Sequence, residues 1–508
     1  MSFLGETRGL AAAICIAAAI GAGPALAQKS ADTLRVATSE PTSSLDYYMG
    51  AERMNIIMSH HLYDTLIYKN IKTGEFEPAL AEKFSYVDDK TLEFVIRKGV
   101  KFHNGELLTA DDVVYTLNTV SDPSFGALYK IAVQWIDRAE KVSDNTVRLH
   151  MKEASPVALE WLAGFVPIYS KAYYEKVGPK GMATAPIGTG PYRLASIDPG
   201  TRWVLKRFDE YFEGSPKGNK IGTIDIRVMP EINTQLTELL THRVDFMWGF
   251  TPDVAERMKN RPRVSVENVP ILRINYMLVN TQMDSPLKDI RVRKAIVHAL
   301  NRKEIKDTFV GPGAQVIDSA CNPVQFGCEA DVARYPYDPA EARRLLAEAG
   351  YPNGFKLPLL LSINTTLPRP VQEALLANLS AVGIELELTS LNWAAAREAW
   401  VGGKYPLLLM SWGSWGISDV AMMTSEFFNG REVDLVKDKE VVEAINAADR
   451  QSDRERRRKL YSDAIKRVAE NAYFVPLWTF NVNYAQSSDL NFSVDPDEIV
   501  RFFNATWK

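Results

Sequence analysis

Cysteine is nearly absent from this 508-residue chain, which holds three: Cys15, Cys321 and Cys328. That count excludes a disulfide-built scaffold and a multi-thiolate zinc site. Histidine is almost as scarce. His60, His61, His103, His150, His242 and His298 fall at no metal-ligand spacing apart from the adjacent first pair, and adjacent residues on a helix or strand do not face one another. No metal and no cofactor are therefore expected. Charge is close to balanced, with a formal net value of -4, so the chain lacks the basic field that a phosphate backbone selects, and nucleic acid is excluded as a partner. Beyond the first residues no apolar run is long enough to span a bilayer, and no repeat or low-complexity tract interrupts the sequence.

What is present is a globular composition, 46% hydrophobic, on a chain too long for one ordinary core. It should divide into two or three domains. The opening stretch MSFLGETRGLAAAICIAAAIGAGPALAQ has a polar head with Arg8, an apolar segment, a breaker at Pro24 and small residues at Ala25 and Ala27. This is the pattern of a signal peptide over 1–27, with a mature chain from Gln28 exported to the periplasm. An uncleaved membrane anchor competes with this reading, but the apolar segment is short for a span and a cleavage pattern follows it. Cys15 lies inside that segment without the pattern expected before a lipoprotein cysteine. In an oxidising compartment Cys321 and Cys328, in CNPVQFGC, read as a disulfide closing a surface loop and contributing about 2–3 kcal/mol.

Along the mature chain, strand and helix signals alternate. DTLRVATSE reads as a strand carrying Leu34 and Val36, and TLEFVIRKGVKF as a second strand. LLTADDVVYTLNTV is a helix capped by Thr109 with Asp112 three positions on. YDPAEARRLLAEAG places Asp338 as N-cap, Pro339 at the first helical position and Gly350 beyond the end. VQEALLANLSAVG is stopped by Gly383, and IELELTSL then alternates as a strand. Residues 438–471 carry two polar helices, and their RERRRK run reads as a solvated face. Together these patterns predict an α/β protein with mixed sheets.

Catalytic patterns are missing. Ser414 is flanked by Gly413 and Trp412 on one side and by Trp415 and Gly416 on the other, which does not make a nucleophile elbow; PIGTGPY has no following helix, and no carboxylate spacing singles out an acid/base pair. Aromatic residues beside turns stand out instead: Trp135, Trp248 in VDFMWGFTPD, Tyr276 in RINYMLVN, and Trp412 and Trp415 in PLLLMSWGSWGISD. Trp248 and Trp415 follow apolar strands and adjoin glycine, where a backbone approaches a ligand closely and a rigid indole supplies area at small entropic cost. With Ser414, Asp419 and Glu40, which follows the first strand, these residues form the candidate solute-binding set.

Four segments, EPALAEKFSYVDDKTLEFVIRKGVKFHNGELLTADDVVYTL, PIGTGPYRLASIDPGTRWVLKRFDEYFEG, RVRKAIVHALNRKEI and YDPAEARRLLAEAGYPNGFKLPL, resemble in order and spacing the extracytoplasmic solute-binding proteins of peptide and nickel ABC transporters. The resemblance covers nearly all of the mature chain. It implies a type II periplasmic-binding-protein fold of two lobes with an extra inserted domain and hinge closure. Domain I is expected from 28–60, 186–275 and 481–508, domain II from 61–185 and domain III from 276–480. The implied protein is a monomer that catalyses nothing and delivers its solute to a membrane permease. In the peptide-binding members a tryptophan packs on the solute, and an aspartate three residues later neutralises the α-ammonium group. Trp412 matches the tryptophan, but position 415 is Trp instead of Asp. An unpaired buried ammonium is costly, so ordinary peptide binding is in question, with Asp419 as the candidate replacement.

The expected solute is accordingly peptide-like or amino-acid-derived, without requiring a free α-amino group. A glycoside, an opine or a metal chelate is the alternative within the same family, since indoles also stack on sugars and cations. A secreted hydrolase with an aromatic-lined cleft is the alternative of another class, and a periplasmic chaperone a weaker one.

Overall fold

The computed structural model describes residues 32–50, 52–362 and 367–508. Arg8, Cys15, Pro24 and the Ala25–Ala27 pattern lie outside the described residues, as does Gln28. Among the described residues no helix is long and apolar enough to cross a membrane.

The period-two segments form strands where the sequence predicts them: Thr33–Thr38, Thr91–Ile96, Ile384–Leu391 and the apolar run Leu407–Trp412. Helix ends follow their caps. The Asp338 carboxylate accepts from the amides of Ala340 and Glu341, which starts the helix Pro339–Glu348, and Gly350 beyond its end takes a φ of +92°. The Thr109 amide donates to the Asp112 carboxylate at 2.8 Å, as a capping box requires, and the helix Ala110–Ser121 follows. In PIGTGPY the glycines serve packing: a Cβ on Gly188 would sit 2.1 Å from the Leu62 carbonyl oxygen. The strand Tyr192–Asp198 follows it, not a helix.

Ten strands form one mixed sheet, in the order Ile384–Leu391, Phe355–Ser362, Leu407–Trp412, Val264–Val279, Phe474–Ser487, Phe246–Trp248, Thr33–Thr38, Thr223–Val228, Arg202–Arg207, Tyr192–Asp198. The two longest, Val264–Val279 and Phe474–Ser487, run antiparallel through the middle, paired from Val264 with Ser487 to Leu278 with Phe474. Their register slips between Ile271 and Ile274. On one side of the slip they join the strands around Thr33–Thr38; on the other Ile274–Val279 pairs with Leu407–Trp412. A separate four-stranded antiparallel sheet, Ala81–Asp88, Thr91–Ile96, Thr146–Met151, Ile136–Ser143, carries the helix Ala110–Ser121 through buried Val113, Leu117 and Val120.

Alternation along Leu407–Met410 builds two cores at once. Leu407 and Leu409 face a cluster with Met277, Leu359 and Trp478, while Leu408 and Met410 face one with Tyr276, Leu360 and Phe474. A strand buried on both faces reads as an uninterrupted apolar run, as PLLLM does.

Candidate functional site

The central apolar strand ends at Trp412, opposite Ile274 at the register slip. Beyond it Ser414, Trp415 and Gly416 take positive φ values of 50°, 55° and 76° in succession. For a non-glycine residue this conformation costs about 1 kcal/mol or more, so packing must hold Ser414 and Trp415 there. Gly416 is required twice over: by its φ and because a Cβ would lie 3.0 Å from the Asp497 carbonyl oxygen.

The turn aims two indoles into a line of rings. Trp412 donates its Nε1–H to the Met422 carbonyl at 2.8 Å and meets Trp415 edge to face, ring centres 5.5 Å apart. Trp415 in turn meets Tyr129 edge to face at 5.1 Å, and Tyr129 stacks on Tyr47 at 6.0 Å. Tyr129 belongs to the part of the chain that carries the four-stranded sheet, so this contact bridges the two sides of a seam. Beneath it remains a small pocket of about 30 Å³ that includes His60, Lys69, Trp415 and Arg501 in its lining.

Outward from the seam the walls part into a chamber of about 990 Å³. One wall comes from residues 69–89 and 154–160, with Ile71, Phe76, Pro156 and Leu159 as its apolar part. The opposite wall comes from residues 323–328, 416–419 and 450–458. The disulfide between Cys321 and Cys328 closes the first of these segments. The Phe326 amide donates to the Ser418 carbonyl, the Val420 amide donates to the Phe326 carbonyl, and the Gln325 side-chain amide donates to the carbonyls of Ile417 and Asp419. The loop read from sequence as a surface staple is thus sewn to the glycine turn as one wall, with Cys321 fully buried.

Most charges at the chamber are paired. Arg457 holds Asp419 through two bonds of 2.7 and 2.8 Å and reaches the Tyr461 hydroxyl at 3.1 Å. Both groups are buried, and the Asp419 carboxylate accepts from the Ala421 amide as well. Lys69 pairs with Glu160 at 2.6 Å; burial pushes the Glu160 carboxyl up and Lys69 offsets part of that. Arg501 holds Asp497 at 2.5 and 2.9 Å. Behind the turn, Glu498 is clamped by Arg53 at 2.6 Å and Arg273 at 3.1 Å. Burial pushes the Glu498 carboxyl up, but the two guanidiniums outweigh it and hold it low. Among the described residues no group of three or more His, Cys, Asp or Glu is placed to hold a metal ion.

The sequence-derived set divides accordingly. Trp412 and Trp415 come together at the seam, and buried Ser414 shapes the turn between them. Asp419 lines the chamber, but its charge is already taken by Arg457. Trp412, Ser414, Tyr276, Trp248, Trp135 and Glu40 line neither concavity. Tyr276 is fully buried and stacks on Phe474 at 4.6 Å, since it sits mid-strand facing a core. Trp248 packs beside Phe246 in the core, and Trp135 is half-buried with its Nε1–H donating to the Ala132 carbonyl. Glu40 is half-exposed, 3.8 Å from Arg53. RERRRK is solvent-exposed as read, except for buried Arg457, and its exposed Arg454 and Arg458 line the chamber together with Arg457. Phe326 and these arginines were missed, although the spacing of 454, 457 and 458 puts them on one helix face.

The model for "Bacterial extracellular solute-binding proteins, family 5 Middle" matches residues 75–433. The chain is similar to the dipeptide-binding protein of Escherichia coli K12, with 30% identity over 69% of this chain and 70% of the relative. It is also similar to the glutathione-binding protein GsiB of Pectobacterium atrosepticum, with 27% identity over 96% of each. Among solved structures, the periplasmic binding protein DppA of Helicobacter pylori in complex with the peptide STSA matches 94% of this chain and 98% of its own, with a TM-score of 0.80 and 23% identity.

Proposed function

Since the chain belongs to the bacterial extracellular solute-binding proteins of family 5, we propose that it is the receptor of an ABC importer, capturing a peptide-like or amino-acid-derived solute between two lobes. The observation that carries this reading is the chamber of about 990 Å³, walled from two sides, with Gly416 of the glycine turn on its lining and Trp415 beside it on the adjoining small pocket. Its volume lies at the upper end of the range for small-molecule sites. One lobe comprises 28–60, 186–275 and 481–508 with the insertion 61–185; the other comprises 276–480. The two long central strands, which run through both halves of the large sheet, are the hinge. The receptor works as a monomer in the periplasm, hands its solute to the permease at the inner membrane and performs no catalytic step.

Titration with peptides and amino-acid conjugates, followed by intrinsic tryptophan fluorescence, tests this proposal. A saturable change with the solute recovered chemically unaltered is the expected result. Release of an altered product is the result that favours a hydrolase.

A further inference from the structure

The charges lining the chamber are unequal once the pairs are removed. Asp419, Glu160 and Asp497 are occupied by Arg457, Lys69 and Arg501. Asp89 is the remaining acid on the lining, and it is exposed on the wall away from the arginines. On the other wall Arg454 has no carboxylate within 4.0 Å among the described residues, and Arg458 has Glu455 at 3.9 Å. Arg450, at the rim, lies near Glu153 across the seam, next to Lys90.

What holds Arg454 and Arg458 in place is a ring. Their guanidinium carbons lie 4.4 and 5.3 Å from the centre of Phe326, and that of Arg457 lies 5.3 Å from it. The phenyl group is itself fixed by the disulfide-closed loop and its bonds to residues 418–420. Two guanidiniums stacked on a fixed ring have lost much of the freedom that makes surface arginines poor anion ligands, and their forks match carboxylate geometry. The facing wall is apolar at Ile71, Phe76, Pro156 and Leu159.

We infer that the solute is net anionic: a peptide-like molecule whose carboxylate sits on Arg454 and Arg458 above Phe326, with its apolar body against the wall at Phe76 and Leu159. This rests on the receptor reading and sharpens it, because among the lining residues exposed Asp89 is the one acid left for a solute ammonium group, against the guanidiniums of Arg454 and Arg458.

The test is capture from a defined mixture of tripeptides and N-carboxyalkyl amino acids, each present as the carboxylate and as its amide isostere. Captured molecules are identified by mass spectrometry after denaturation of the full-length mature protein. The wild type is expected to retain carboxylate forms over amide forms by about tenfold or more, as charge-assisted bonds from two guanidiniums give. That preference is expected to fall to near unity in Arg454→Ala with Arg458→Ala, and to return in part with Lys at both positions. Unchanged melting temperature separates this from loss of fold. Equal capture of amide forms by the wild type, or an unchanged preference in the double alanine variant, overturns the anion site and leaves the receptor reading standing. Capture of nothing from the mixture by the wild type contradicts both.

Discussion

Two aromatic positions, Trp415 at the small pocket and Phe326 at the chamber, are built in opposite ways. Trp415 sits on a left-handed glycine turn, held by other rings on either side, and bridges the seam to Tyr129. Phe326 sits on a disulfide-closed loop, held by backbone bonds, and is covered by three guanidiniums. The first is a contact whose edge-to-face geometry depends on the two sides being together. The second exists within one side and keeps its charges whether or not the seam is closed. The difference separates two tasks that a single binding site is often asked to perform: closing on a solute and choosing it.

The largest effect should come from the pair that anchors the charged wall. Arg457→Ala leaves the buried Asp419 carboxylate without its partner, and chemical denaturation should show a loss of about 3–5 kcal/mol. A loss under about 1 kcal/mol would mean that the wall does not depend on that pair. Next, replacing Cys321 and Cys328 together by Ser removes the closure under Phe326, and the same measurement should show about 2–3 kcal/mol. Solute preference should fall with it, since the arginines lose their fixed ring.

Trp415→Ala acts on the other side of the comparison. Solute affinity by fluorescence or calorimetry should weaken by about 1–3 kcal/mol while stability changes little, because the half-buried indole closes the seam instead of filling a core. A large loss of stability with unchanged affinity would make Trp415 a packing residue only. The smallest effect is expected away from both positions. Trp248→Phe keeps the packing against Phe246 outside the chamber and should leave affinity within about 0.5 kcal/mol.

The sequence made local grammar readable. Asp338, Gly350 and Gly383 mark helix ends by their capping chemistry, and the apolar run before Trp412 marks a strand buried on both faces. The glycine turn was legible for the same reason, since few residue sequences tolerate successive positive φ values. The charged wall was not. The run RERRRK satisfies every rule for a solvated helix face, and its other meaning depends on Phe326, far away in sequence, arriving beneath it. Tyr276 and Trp248 misled in the opposite direction: an aromatic beside a turn signal is compatible with a cleft, but strand alternation sends Tyr276 into a core. Asp419 lines the chamber, yet its partner Arg457 lies on another element and only the fold reveals that its charge is spent.

Closure over an anionic solute is most directly measured as a distance between the two walls. Tyr86 is exposed on one side of the chamber and Lys459 on the helix Arg454–Glu470 that carries the arginines of the other, and cysteines introduced there carry spin labels clear of the Cys321–Cys328 loop. Adding the carboxylate forms of the mixture should shorten and narrow the label-to-label distance distribution, and the amide forms should not. A distribution that stays the same when solute binds would contradict capture by closure.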